Sequence, residues 1–146
     1  MKTAVEILKS KAKQAVHSIA PSDSVFDAVK LMADKNIGAL LVMEADRIAG
    51  IVTERDYARK IVLMSRSSKE TPVREIMTAE VMYVHPGQTS DECMVLMTEN
   101  RLRHLPVIDG DKLLGLISIG DLVKSIISEQ RFTIEQLEHY ISGGTS

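Results

Sequence analysis

This 146-residue chain has no tryptophan, two phenylalanines and three tyrosines. So few aromatics argue against a base-stacking surface for single-stranded nucleic acid. Charge of either sign is not in excess: 18 Lys and Arg stand against 20 Asp and Glu, a net charge of −2. Bulk electrostatics therefore gives no support for nucleic-acid binding. No apolar run is long enough to span a membrane. The first residues, Met1-Lys2-Thr3-Ala4-Val5, lack the apolar core and cleavage site of a signal peptide. The single cysteine, Cys93, cannot form an internal disulfide. Together these absences predict a protein of a reducing cytoplasm, without membrane or nucleic-acid partners. The catalytic signatures are missing too. No Ser/His/Asp or Cys/His set stands out, and there is neither G-x-G-x-x-G nor a P-loop. His17, His85, His104 and His139 lack metal-ligand spacing. Neither a metal site nor a catalytic cofactor is expected, and the chain is not read as an enzyme.

What is present is a repeat. Shifted by 65 residues, positions 21–61 lie on 86–126 without a gap, and nine of the 41 pairs are identical. They are Pro21/Pro86, Leu31/Leu96, Met32/Met97, Leu40/Leu105, Val42/Val107, Asp46/Asp111, Gly50/Gly115, Asp56/Asp121 and Ile61/Ile126. A unit of about 60 residues is marginal alone, so the copies are expected to need each other. Two similar units packed about an approximate two-fold axis would make paired clefts.

Each copy reads as a short strand, a helix, two strands and a helix. The short strands are expected at 17–19 and 81–84, closed by Pro21 and Pro86. Ser24 with Asp27, and Thr89 with Glu92, have capping-box spacing at the start of helices that end near Asn36 and Asn100. Val25, Ala28, Val29 and Met32 recur at helical spacing, as do Cys93, Met94 and Met97. The methionines read as core filling. Strands follow at 39–43 and 48–52, and at 105–108 and 113–117, with acidic turns between them. Thr53 and Ser118 are candidate N-caps of the closing helices. The linker is 65–71. The segment 73–77 leads into the second copy, and 5–8 is its looser counterpart. Beyond Gln130, Ile134, Leu137 and Ile141 could line one face of a short helix, and 143–146 should fray. The expected organisation is 5–66 and 72–130 for the repeats, with 131–146 as a helical tail.

One motif occurs in both copies: G-x-x-[T/S]-x-x-D, at Gly50, Thr53 and Asp56, and at Gly115, Ser118 and Asp121. It crosses a strand-to-helix junction. The carboxylate can accept two hydrogen bonds from a ribose cis-diol, and the hydroxyl can reach the ribose or a phosphate. The helix N-terminus favours an anion nearby. The same spacing also makes a capping box that needs no ligand. Both roles can coexist if the cap opens onto a cleft.

The combination of Val73-Arg74-Glu75-Ile76-Met77-Thr78, Arg103-His104-Leu105-Pro106-Val107 and the doubled motif resembles a tandem pair of cystathionine β-synthase (CBS) domains, a Bateman module. The resemblance covers about residues 5–128. It implies an α/β fold of two β-α-β-β-α repeats about a pseudo-two-fold axis. The first copy departs from the pattern: Leu41 stands opposite Pro106, and there is no clear Ile-Met-Thr. These departures bear on the shape of its first strand and pocket.

Such modules bind adenosine-containing ligands and regulate rather than catalyse. By position, Thr53, Asp56, Ser118 and Asp121 would hold ribose and phosphate. Adenine would lie among Ile19, Val81, Val84, Ile51 and Leu116. Backbone at Gly38-Ala39 and Arg103-His104 would read the purine edge. Thr78 closes the Ile-Met-Thr signature and joins the candidate site. Arg101 falls where the family often has a phosphate-binding arginine, and Arg103 and His104 follow. The first copy has Asn36, Gly38 and Ala39 instead, while its Arg55 stands opposite Gly120. The two clefts are therefore expected to differ. The expected ligand is AMP or NAD, with ATP also possible. The expected partners are an effector protein and a second copy in a homodimer. The competing readings are a dimerisation scaffold without ligand sensing and, weakest, a nucleotide-processing enzyme.

Overall fold

The computed structural model describes residues 1–11 and 16–142. The expected fraying of 143–146 lies outside them. The chain is α/β. Its described residues fall into two compact units: one gathers 1–11 and 82–142, the other 16–81.

In the 16–81 unit, β1 (Ser18–Ile19) pairs in parallel with β2 (Ala39–Glu44), and β2 pairs antiparallel with β3 (Arg47–Thr53). Helix α2 (Val25–Lys35) covers the sheet. Ser24 accepts the Asp27 N–H at 3.0 Å. The expected reciprocal bond, from the Ser24 N–H to the Asp27 carboxylate, is not made, so this is a single cap rather than a box. Asn36 ends α2 in the left-handed region, which Asn tolerates better than most residues. Residues 39–42 of β2 are buried without alternation, as a strand covered on both faces requires. The closing helix is short. α3 (Glu54–Tyr57) runs into a π-helical turn over Ala58–Val62.

The 82–142 part repeats this plan with α4 (Ser90–Asn100), β4 (His104–Asp109), β5 (Lys112–Ser118) and α5 (Ile119–Ile141). The copies agree in detail. Both hairpins slip register at the same place, between Val42 and Met43 and between Val107 and Ile108. Ala45 and Gly110 take positive φ at matching turns. Here Thr89 and Glu92 do form a reciprocal capping box.

The expected strand at 81–84 is reduced to one bridge, Val84 to Val107. Pro106 is the reason. In the first copy the Leu41 N–H reaches the His17 carbonyl and lengthens the ladder. Pro106, at the matching position, has no N–H to give. It can only accept, from Val84 N–H at 2.9 Å.

The leading segments each dock on a sheet. Residues 1–11, with helix α1 (Ala4–Ser10), pack against 82–142: Ala4, Ile7 and Leu8 join Val84, Cys93, Met97, Leu105, Val107, Ile117 and Leu122 in one core. The segment 73–78, a 3₁₀ turn over Val73–Glu75, packs against 16–81. Val73 and Ile76 join Ile19, Val25, Ala28, Met32, Leu40, Val42, Val52 and Ile61. The segment that precedes the second repeat in sequence thus belongs in space to the unit of the first. Finally, α5 continues without a break through Gln130, so the closing helix and the tail are one helix of 23 residues.

Candidate functional site

The two motifs sit at corresponding helix starts and share their geometry. In the first, Asp56 N–H donates to Thr53 Oγ1 at 3.2 Å, and Thr53 N–H donates back to Asp56 Oδ2 at 3.0 Å. The Thr53 hydroxyl also donates to Oδ2, at 3.1 Å. In the second, Asp121 N–H donates to Ser118 Oγ at 3.1 Å, and Ser118 N–H donates to Asp121 Oδ2 at 2.8 Å. Both are capping boxes. All four residues remain partly exposed, so the boxes also face outward.

The strand that precedes each motif helix brings further candidates alongside. Ala39 pairs in register with Thr53, and His104 with Ser118. The Gly38 carbonyl accepts Glu54 N–H at 3.1 Å, and the Arg103 carbonyl accepts Ile119 N–H at 2.8 Å. The loops at Gly38-Ala39 and Arg103-His104 therefore lie against the first helical residues. Ile51 and Leu116, two residues before the hydroxyls, are half-buried. Thr78 is bonded to Ile51 in both directions, at 2.9 and 3.0 Å. The carried-over residues thus gather in two sets, one per unit. The first set holds Gly38, Ala39, Ile51, Thr53, Asp56 and Thr78, with Arg55 in the same α3 turn. The second holds Arg103, His104, Leu116, Ser118 and Asp121. Arg101 is close by as the left-handed cap of α4, φ 54°.

Ile19 and Val84 fare differently. Both are core side chains, Val84 fully buried. They can back a ligand surface only from beneath it. Val81 remains half-buried. An open hollow of about 420 Å³, lined by Met1, Lys2, Ser128, Glu129, Phe132 and Thr133, contains none of these residues.

Sequence reasoning missed two parts of the site. The first is the role of the motif glycine. A Cβ on Gly50 would lie 2.7 Å from the Thr78 carbonyl oxygen and 2.8 Å from Met77 Sδ; one on Gly115 would lie 2.8 Å from Leu8 Cδ2. Each glycine makes room for a docked leading segment. The second is a lysine at each carboxylate. Lys60 Nζ lies 3.3 Å from Asp56 Oδ1 and donates to the Ile76 carbonyl at 2.8 Å. Lys11 Nζ lies 2.9 Å from Asp121 Oδ2 and donates to the Leu116 carbonyl at 2.8 Å. The lysines are not at equivalent positions. Under the 65-residue shift, Lys60 matches Ser125 and Lys11 matches Ile76. The copies have exchanged which element supplies the cation. In both, an ammonium ties the motif carboxylate to the leading segment. A search for compensating changes between the copies would have found it.

Burial works against ionisation of Asp121, but the Ser118 N–H and the Lys11 ammonium outweigh it. The carboxyl is held below the ordinary aspartate range. A lowered folded value means stability that is complete above the unfolded value and lost as pH falls through the folded one. We expect Lys11→Met to lower stability at pH 7 by about 0.5–1 kcal/mol, the scale of a partly screened pair. We also expect it to flatten the loss of stability between about pH 5 and pH 2. Urea unfolding across that range measures both. An unchanged acid slope would show that Lys11 does not hold the Asp121 proton off.

Cys93 is fully buried and burial pushes its thiol up, so it is a core group rather than a nucleophile. Among the described residues no three His, Cys, Asp or Glu side chains gather in a way that could hold a metal ion. No helix of the described residues is long and apolar enough to cross a membrane.

Comparison with known proteins places this arrangement. The CBS domain family matches residues 6–63 and 73–128. The chain therefore belongs to the CBS domain family and carries two copies, the fold of regulatory and signalling proteins. It is 45% identical over 150 residues to the CBS domain-containing protein CBSX3, mitochondrial, of Arabidopsis thaliana, covering 97% of this chain and 73% of that one. Among solved structures it resembles a signal-transduction protein with CBS domains from Burkholderia ambifaria MC40-6: 63% identity, TM-score 0.85, 88% of this chain and 96% of the other. It also resembles a hexameric CBS-CP12 protein from bloom-forming cyanobacteria: 30% identity, TM-score 0.75, 100% of this chain and 91% of that one.

Proposed function

We propose that this protein is a non-catalytic regulator that binds an adenine nucleotide at the two motif faces. The observation that carries the reading is the recurrence, in one geometry, of an outward-facing hydroxyl and carboxylate on a helix start. Each lies beside a loop backbone that could meet a purine. The ribose cis-diol would bond Asp56 and Asp121. Ile51, with Val81, would flank the base at the first face, and Leu116 would flank it at the second. AMP or NAD is the preferred class and ATP is compatible, since the basic residues around the second motif suit phosphates. The ligand would shift a conformational equilibrium by its differential affinity for the two states, and a separate effector protein would read the shift. With one cysteine, buried, the chain suits a reducing compartment such as the cytoplasm. The similar plant protein is mitochondrial by name.

Arg101 gives the reading a sharp test. A non-glycine residue at φ 54° costs about 1 kcal/mol or more, and Asn36 occupies the same cap in the other copy. Arg101→Asn should keep the cap and the fold. It should weaken AMP about tenfold or more, as loss of a charged hydrogen bond predicts. Adenosine, without the phosphate, should be unaffected. Equal AMP affinity in both proteins by calorimetry would remove Arg101 from the site.

A second reading, an interaction scaffold, is favoured by the exposed apolar stripe on the outer half of α5.

A further inference from the structure

We propose that α5 pairs antiparallel with α5 of a second copy of this chain, in a register that sets Val123, Ile127, Gln130, Ile134, Leu137 and Ile141 against their symmetry mates. This does not rest on the nucleotide reading.

The inner half of α5 is anchored by Leu122 and Ser125, which are buried. It nevertheless leaves Val123 and Ile127 more than 40% exposed, on the side away from that core. From Gln130 onward every described residue of the helix is exposed, including Ile134, Leu137 and Ile141. Three turns of helix with no buried side chain are marginal in water. A soluble protein seldom leaves a continuous apolar stripe bare.

The spacing identifies the occupant. The stripe steps 4, 3, 4, 3, 4 from Val123 to Ile141, a heptad seam with Ile127, Ile134 and Ile141 at one core position and Val123 and Leu137 at the other. Such a seam fits another helix of the same period. Gln130 is its single polar member.

Orientation follows from what each half lacks. The outer half buries no side chain, while the inner half exposes the start of the seam. Running antiparallel, each outer half covers the other copy's inner half. Placing Ile127 opposite Leu137 also places Val123 opposite Ile141 and Gln130 opposite Ile134. In that register Lys124 flanks Glu138 of the second copy, and Glu138 flanks Lys124, so the same opposite-charge pair forms twice. Both residues are exposed and available. Arg131 comes near its own symmetry mate, with Glu135 one turn along the same helix to offset the charge. A parallel pair would bring neither Lys124 nor Glu138 to an opposite charge. The self-complementary antiparallel register is therefore the one the sequence favours.

Sedimentation velocity of the full chain tests this. The wild type should be a dimer at about 50–100 μM, and Ile134→Asp with Leu137→Asp should be monomeric with an unchanged circular-dichroism spectrum. These side chains touch no core, so loss of the dimer would not reflect unfolding. Lys124→Glu alone should weaken the dimer by about tenfold, on the scale of exposed charge pairs counted twice. Adding Glu138→Lys should restore it. Arg131→Cys should form an intermolecular disulfide on oxidation, while the wild type, whose only thiol is the buried Cys93, should not. A monomeric wild type, or a dimer indifferent to the aspartate pair, would overturn the proposal. So would charge reversals that add instead of cancelling.

Discussion

Gly50→Ala lowers stability by about 3 kcal/mol, the upper range of overpacking, and lowers the melting temperature by roughly 10 °C for a chain of this size. The added methyl would meet the Thr78 carbonyl oxygen at 2.7 Å. That oxygen is backbone, and Thr78 is fixed to Ile51 by two hydrogen bonds. The methyl can be admitted only by parting the bridge that docks the leading segment. Gly115→Ala has the same conservative appearance and a smaller effect, about 1 kcal/mol. Its nearest neighbour is the end of the Leu8 side chain, which can turn away. The difference separates backbone from side-chain obstruction at two positions that align in the repeat. Thermal melts of both variants check it. Equal losses would mean that docking of 73–78 does not depend on the space above Gly50.

The second large effect concerns the carboxylates. Asp56→Ala and Asp121→Ala each remove an acceptor for both hydroxyls of a ribose. A hydrogen bond to a charged group contributes about 1.5–3 kcal/mol, so losing two predicts an affinity loss of about 100-fold or more at that face. Each single variant should delete one class of site and leave the other. The double variant should delete both. The capping role predicts a separate and smaller cost of about 1 kcal/mol to stability, readable in the same melts. If the variants lose stability without losing nucleotide, the motif is a cap and nothing more.

Much of the fold was legible because the chain states it twice. Gly50/Gly115 and Asp56/Asp121 fell at the same junctions as expected, and so did the hairpins around Asp46 and Asp111. Ser24 shows the limit of spacing: the capping-box pattern was present, yet Asp27 does not reach back. The strand at 81–84 shrank to a bridge because the cause lay on its neighbour, where Pro106 has no N–H. Apolar strand-like sequence cannot reveal that until pairing is known. Val84 and Ile19 read as ligand walls by position, but burial, which only the packed chain reveals, places them in the core. Lys11 and Lys60 were invisible for a different reason. They answer the same need from different elements, so the shift that exposed the repeat set each against an uncharged residue.

The exchange of lysines gives the inequality of the two faces a physical form. Lys60 stands one turn from Asp56 on its own helix, so its contact survives any motion of the leading segment. Lys11 belongs to a leading segment, so its hold on Asp121 depends on that segment staying docked.

The most direct test is calorimetric titration of the purified full chain, freed of any copurifying small molecule, with AMP, ATP and NAD. The account predicts saturable binding of at least one of them. Part of the heat should be lost in Asp56→Ala, part in Asp121→Ala, and all of it in the double variant. Absence of binding to any adenine nucleotide at millimolar concentration, or binding that the double variant retains, would contradict it.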